Sequence, residues 1–265
     1  MEKDIVLRLE NVTKRYQNGV KALDGISFDV ARGEFVAIIG PSGAGKSTIL
    51  RSINRLIDVT EGSVLVGNED VTKLRGKGIR RVRRKIGMVF QNYNLVGRLS
   101  VMQNVLHGRL GYMSDIASVF GRYGEKDKER ALHLLSDIGL HDFIYNRASD
   151  LSGGQKQRVG VARAFMQNPD ILLCDEPIAS LDPSSSKIVM DSIRDLSKRE
   201  GIACVVNLHQ IDVALQYATR IIGLRQGKIV YDGVPQELSR QTIEEIYNTS
   251  FEDMIMGHGE ANEAV

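Results

Sequence analysis

Glu34-Phe35-Val36-Ala37-Ile38-Ile39-Gly40-Pro41-Ser42-Gly43-Ala44-Gly45-Lys46-Ser47-Thr48 is the stretch from which the rest of the chain can be read. Its opening is a short, continuous apolar run that ends in glycine, the pattern of a strand buried on both faces of a parallel sheet. A helical pattern follows from Lys46 to about Leu56. Between the two, Gly40 to Ser47 fits G-x-x-x-x-G-K-[ST] at every specified position. The glycines let the backbone wrap closely around phosphate oxygens, and the start of the helix adds a partial positive charge. Lys46 is placed to reach β- and γ-phosphates, and the Ser47 hydroxyl is a ligand for Mg²⁺. A Gly-rich turn that matches by accident leaves the flanking strand and helix unexplained.

A phosphate-bound Mg²⁺ needs a partner acid. Ile171-Leu172-Leu173-Cys174-Asp175-Glu176 supplies one, four apolar residues running into two acids. A buried strand here delivers Asp175 to the carboxyl edge of the sheet, where open α/β sheets bind ligands. Asp175 is then expected to hold Mg²⁺, and Glu176 to polarise an attacking water. Alone, the pair reads equally well as a strand ending in solvated acids; the phosphate loop in the same chain favours the first reading.

Further outward, Ile5 to Val12 and Ile26 to Val30 alternate apolar and polar residues, as half-buried strands do. Ser63 to Val66 and Ile86 to Phe90 are strand candidates. From Val101 to about Gln167 the strands stop and the sequence is helix-like, broken by glycines. Strand and helix then alternate again: a helix from about Ser184, a strand over Ala203 to Leu208, a helix from about Ile211, and a hairpin of Ile221–Leu224 with Gly227–Tyr231. Such alternation implies a doubly wound α/β core. The expected organisation is a single domain over residues 1–256 with a helical subdomain inserted at about 96–167. The tail, residues 257–265, is expected to fray.

The chain has 265 residues, and at roughly 150 per domain this allows one or two domains. Lys plus Arg total 35 and Asp plus Glu 33, so bulk charge gives no support to nucleic-acid binding. With 42% apolar and 26% charged residues, collagen-like, coiled-coil and wholly disordered classes are excluded. No apolar run approaches the ~18–20 residues that span a bilayer. Met1-Glu2-Lys3-Asp4 is charged and no signal-peptide stretch follows, so the expected place is the cytoplasmic side. Cys174 and Cys204 each fall in a buried-strand pattern and are expected to be reduced core residues. His107, His133, His141 and His258 form no ligand set. The basic run from Lys73 to Lys85 reads best as a solvated helix face, with acidic lipid headgroups or nucleic acid as lesser alternatives.

Leu151-Ser152-Gly153-Gly154-Gln155 narrows the family. Two glycines and a serine hydroxyl at the start of a helix make a second anion-binding nest. This stretch resembles the signature loop of ABC-type ATPases and stands where that family has it, before the acidic strand. The resemblance covers about residues 5 to 240. It implies a P-loop NTPase fold with a RecA-like core, an N-terminal antiparallel β subdomain and the inserted helical subdomain. It also implies two copies joined head to tail with two ATP–Mg²⁺ between them. ATP would then contact Gly40 to Thr48 of one chain and Ser152, Gly153, Gly154 and Gln155 of the other. Residue by residue, Tyr16 matches the aromatic that stacks on adenine. Gln91 matches the glutamine that senses Mg²⁺ and water. Ser180-Leu181-Asp182 matches the loop that crosses the dimer seam, and His209 the histidine on the γ-phosphate.

Family members fused to membrane spans are commonly exporters; this chain carries none, as in import systems. The chain ends shortly after the core, so no C-terminal regulatory domain is expected. Asn94-Leu95-Val96-Gly97-Arg98-Leu99-Ser100, Asn104 to Gly111, the Ser118-Val119-Phe120-Gly121 insertion and Asn207-Leu208-His209-Gln210 resemble the ATPase subunit of phosphonate importers. Gly97 departs from that pattern, where proline is expected. The implied partners are membrane permease subunits and, through them, an extracytoplasmic binding protein, with the ATPase on the cytoplasmic face. Uptake of phosphate, amino acids or metal ions by another importer, and a soluble ABC-type ATPase without a transport role, are the alternatives.

Overall fold

The computed structural model describes residues 4–113 and 121–249. Most of the Ser118 to Gly121 insertion, and the tail from residue 257, lie outside the described residues. Strands β1 (Ile5–Arg15) and β2 (Lys21–Ala31) pair antiparallel. β3 (Phe35–Ile39) starts a second sheet and leads through the phosphate loop into α1 (Lys46–Ile53). β4 (Glu61–Val66) and the two-residue β5 (Glu69–Asp70) return to the first sheet, whose order is β2-β1-β4-β5. After α2 (Lys77–Arg83) comes β6 (Ile86–Val89).

The helical stretch follows: α3 (Val101–Leu106), α4 (Glu125–Asp137) and α5 (Gly153–Met166), with short 3-10 turns between them. The chain then alternates through β7 (Ile171–Asp175), α6 (Pro183–Glu200), β8 (Ala203–Asn207) and α7 (Ile211–Tyr217). The described elements close with the β9 (Arg220–Arg225) and β10 (Lys228–Gly233) hairpin and α8 (Arg240–Tyr247). The second sheet runs β10-β9-β3-β8-β7-β6, parallel throughout except at β10.

Every residue of β3, β7 and β8 is buried, as the unbroken apolar runs require. Alternate residues feed two cores. Phe35, Ala37, Ile39, Leu172, Cys174, Cys204 and Val206 face the helical side with Val105, Leu135, Phe165 and Ile193. Val36, Ile38, Leu173 and Val205 face the other side, against α1 and the first sheet through Leu7, Leu9, Ile26 and Val64. One layer is therefore a β-sheet with α1 rather than the second helix layer of a doubly wound core. Both cysteines are free and fully buried, and burial pushes the Cys174 thiol up.

Several elements depart from the sequence pattern: β1 runs on to Arg15 and β2 starts at Lys21, well before Ile26. α1 stops at Ile53 rather than Leu56, because Arg55 takes a left-handed backbone (φ 49°) while its guanidinium reaches Asp58 and the Val71 carbonyl. β5 and α8 had no apolar run long enough to announce them. The basic run contains the short helix α2 with an exposed face, yet much of the run is tied down. Arg81 and Lys85 pair with Glu69, Lys73 with Asp70, and Arg83 donates to the carbonyls of Asn54 and Arg55.

Candidate nucleotide-binding site

The phosphate loop closes between β3 and α1. Gly45 precedes α1 with φ 110°, and a Cβ there would stand 2.5 Å from the Ala22 carbonyl oxygen, so only glycine lets the loop sit against β2. Residues Ser42 to Thr48 line a cavity of about 210 Å³ together with Ala22, Glu176 and His209. Lys46 is 5% exposed and folds back on the loop, donating from Nζ to the carbonyls of Gly40 (2.6 Å) and Pro41 (3.1 Å). Burial lowers the pKa of its ammonium, with Glu176 and Asp175 opposing the shift.

Asp175 ends β7, directly opposite Asn207 of β8. Its Oδ1 accepts from Ser47 Oγ at 2.7 Å and from Asn207 Nδ2 at 2.9 Å; its Oδ2 lies 3.7 Å from Arg51 Nη2. The next residue, Glu176, takes a left-handed backbone (φ 51°), rare for a side chain of this kind and typical of functional positions. The turn points Glu176 Oε1 to within 2.6 Å of His209 Nε2, just beyond the end of β8. The structure thus brings Lys46, Ser47, Asp175, Glu176 and His209 together.

The donor set suits a small hard cation. A hydroxyl and one carboxylate stand side by side, and among the described residues no group of three or more His, Cys, Asp or Glu could hold a metal. Mg²⁺ is commonly held this way, through one or two protein oxygens with phosphates and waters completing the shell.

Other candidates stand apart from this cavity. Gln91 follows β6 at the same sheet edge as Asp175, exposed and outside the cavity lining. Tyr16 is 40% exposed at the β1–β2 turn, with Lys14 Nζ 5.2 Å from its ring centre. Ser152 caps α5: its Oγ accepts from Gln155 N–H, and its own N–H donates to Gln155 Oε1. Asp182 caps α6, accepting from Ser185 N–H (2.9 Å) and Ser184 Oγ (2.5 Å), which hold its carboxyl well below the usual carboxylate range.

These loops nevertheless touch one another. A Cβ on Gly153 would lie 3.0 Å from Tyr93 Oη, and one on Gly154 would lie 2.8 Å from Ser185 Oγ. Arg163, further along α5, donates to the carbonyls of Tyr93 (2.9 Å) and Asn94 (2.5 Å) just past Gln91. Sequence reasoning assigned no role to Asn207, Arg51 or Arg163. The visible signal for Asn207 was an amide ending an otherwise apolar strand; nothing marked the two arginines.

The profile of the ABC transporter family matches residues 23–179. "Phosphonates import ATP-binding protein PhnC 2" of Oceanobacillus iheyensis is 52% identical over 250 residues, covering 94% of this chain and 98% of that one. "Phosphonates import ATP-binding protein PhnC" of Treponema denticola is 52% identical over 239 residues, covering 90% and 93%. Among solved structures, the ATP-binding cassette MJ0796, in a dimeric post-hydrolysis state bound to ADP and Pi, aligns with a TM-score of 0.76 at 36% identity, covering 86% of this chain and 98% of that one. The ADP conformation of the cassette MJ1267 aligns with a TM-score of 0.80 at 31% identity, covering 92% and 98%. With such likeness over most of its length, the chain belongs to the ABC transporter family, as an ATP-binding and ATP-hydrolysing subunit.

Proposed function

We propose that this subunit energises the import of phosphonates, working as a head-to-tail homodimer on the cytoplasmic face of the membrane beneath two permease subunits. The observation that carries the hydrolytic part is the convergence of Lys46, Ser47, Glu176 and His209 on one cavity, with Asp175 bonded to Ser47 behind it. The likeness to the phosphonate-import subunits of Oceanobacillus iheyensis and Treponema denticola supports the substrate. Among the described residues no helix is long and apolar enough to cross a membrane, so translocation falls to other subunits.

In this mechanism the loop amides and the start of α1 cradle the β- and γ-phosphates. Lys46 exchanges the Gly40 and Pro41 carbonyls for phosphate oxygens. Ser47 and Asp175, joined by Gln91 when its loop closes, would hold Mg²⁺. When bound, that cation supplies positive charge against the transferring phosphoryl group. Glu176 orients and deprotonates the attacking water, and His209 steadies both Glu176 and the γ-phosphate. Ser152 to Gln155, capping α5 at a distance from this chain's own cavity, would close the site of the opposite chain, with Asp182 at the seam and Tyr16 against the adenine.

Mixing two inactive variants tests the shared site. In a heterodimer of Lys46→Ala and Ser152→Arg chains, one site carries both lesions and the other neither. Partial recovery of hydrolysis is expected; none in proven heterodimers refutes the sharing. Reconstitution with permease and binding protein tests the substrate: alkyl- or aminoalkylphosphonates should raise hydrolysis, because the loaded binding protein favours the closed state. Stimulation by an amino acid or a metal ion, with none from phosphonates, phosphate or phosphite, defeats the assignment.

A further inference from the structure

β8 reads Ala203-Cys204-Val205-Val206-Asn207, four small or apolar residues and then a carboxamide. Asn207 is 0% exposed and lies between the two strands that carry the site, opposite Ile38 of β3 on one side and Asp175 of β7 on the other. Its Nδ2 donates to Asp175 Oδ1 at 2.9 Å, the same oxygen that receives the Ser47 hydroxyl. Its Oδ1 is buried with no partner. A buried amide with one end unsatisfied is a cost to the fold, and an apolar residue of the same shape would avoid it. Packing therefore gives no reason for asparagine here. The one gain it offers is the bond to Asp175. The orientation of the amide is dictated as well, since turning Oδ1 toward the carboxylate would set acceptor against acceptor.

We infer that Asn207 is a positioning residue for the cation site: it pins Asp175 Oδ1 beside Ser47 and so fixes the rotation of the carboxylate. The role presupposes Asp175 as the carboxylate of the cation site proposed above. Two donors on Oδ1 leave Oδ2 with only the distant Arg51 guanidinium, and the neutral amide orders the carboxylate without cancelling its charge. Losing a partner that orients a ligating carboxylate typically costs about 10- to 100-fold in metal affinity.

The test is direct binding. Mn²⁺ affinity in the presence of ATP is read by electron paramagnetic resonance, and ATP affinity without metal by calorimetry, on the full-length protein. Asn207→Leu keeps the shape and removes the donor; Asn207→Ala removes both and leaves a small cavity, so whichever variant folds decides. The expected result is about 10-fold weaker Mn²⁺ binding with metal-free ATP affinity unchanged. Unchanged Mn²⁺ affinity, or an equal loss of metal-free ATP binding, overturns the role. Asp175→Ala in the same titration separates the two levels. If it abolishes Mn²⁺ binding while the Asn207 variants do not, the inference alone fails. If it leaves Mn²⁺ binding intact, the cation-site assignment fails first.

Discussion

Glu176 Oε1 and His209 Nε2 lie 2.6 Å apart, joining the turn after β7 to the turn after β8 across the mouth of the cavity. The imidazole thus orients the carboxylate that the proposed mechanism sets against the attacking water. The left-handed backbone of Glu176 brings its side chain toward that imidazole.

Glu176→Gln should bind ATP normally and hydrolyse it at least ~100-fold more slowly, because the amide keeps the shape but cannot take a proton. With ATP and Mg²⁺ the variant should accumulate as a dimer, measured by light scattering. A monomeric variant with normal turnover removes Glu176 from the mechanism.

Lys46→Ala should lower turnover by about 10²–10³-fold, the usual consequence of deleting one preorganised charge from such a site. ATP affinity should fall as well, measured by calorimetry. Near-normal turnover in the folded variant contradicts the cradle.

Gly154→Ala should leave ATP binding intact and reduce hydrolysis by at least ~10-fold, as displaced site-closing loops do. The new methyl would meet Ser185 Oγ at 2.8 Å and Ser185 Cβ at 2.9 Å, pushing the start of α5 off the capped first turn of α6. Ser185→Gly in the same chain removes both obstructing atoms and should restore activity. A double variant no better than Gly154→Ala places the defect elsewhere.

Alkaline stability follows from two tyrosines. Burial pushes the phenols of Tyr217 and Tyr247 up to about 12. Unfolded tyrosine ionises near pH ~10. The folded chain therefore keeps both phenols neutral where the unfolded chain has lost the proton. Their contribution is complete below pH ~10 and is lost as pH rises toward about 12. Urea midpoints measured across that window should fall, and less steeply in a Tyr217→Phe, Tyr247→Phe double variant. Equal slopes would show that other groups govern the alkaline limb.

The parts of the site with strict backbone or charge demands were legible in the sequence. Gly45 must be glycine because Ala22 crowds it, Lys46 and Ser47 follow it at fixed spacing, and the run Ile171 to Glu176 announces a buried strand ending in acid. What depended on register was not legible. Asn207 meets Asp175 only because β8 lies between β3 and β7 with those two residues opposite each other. The early end of α1 likewise depends on Asp58 and the Val71 carbonyl drawing Arg55 out of the helix. The two-residue β5 has no pattern of its own; its pairing with β4 defines it.

Arg163 has a mechanical consequence. Its backbone sits about 15 Å along α5 from the end that bears Ser152, at the usual rise per residue, and its guanidinium grips the carbonyls of Tyr93 and Asn94. Burial lowers its pKa, and those carbonyls satisfy donors that are partly withdrawn from water. Two bonds therefore tie the helix to the loop after Gln91. A tilt of α5 would strain both of them, so the end that bears Ser152 and the segment Tyr93–Asn94 are mechanically linked.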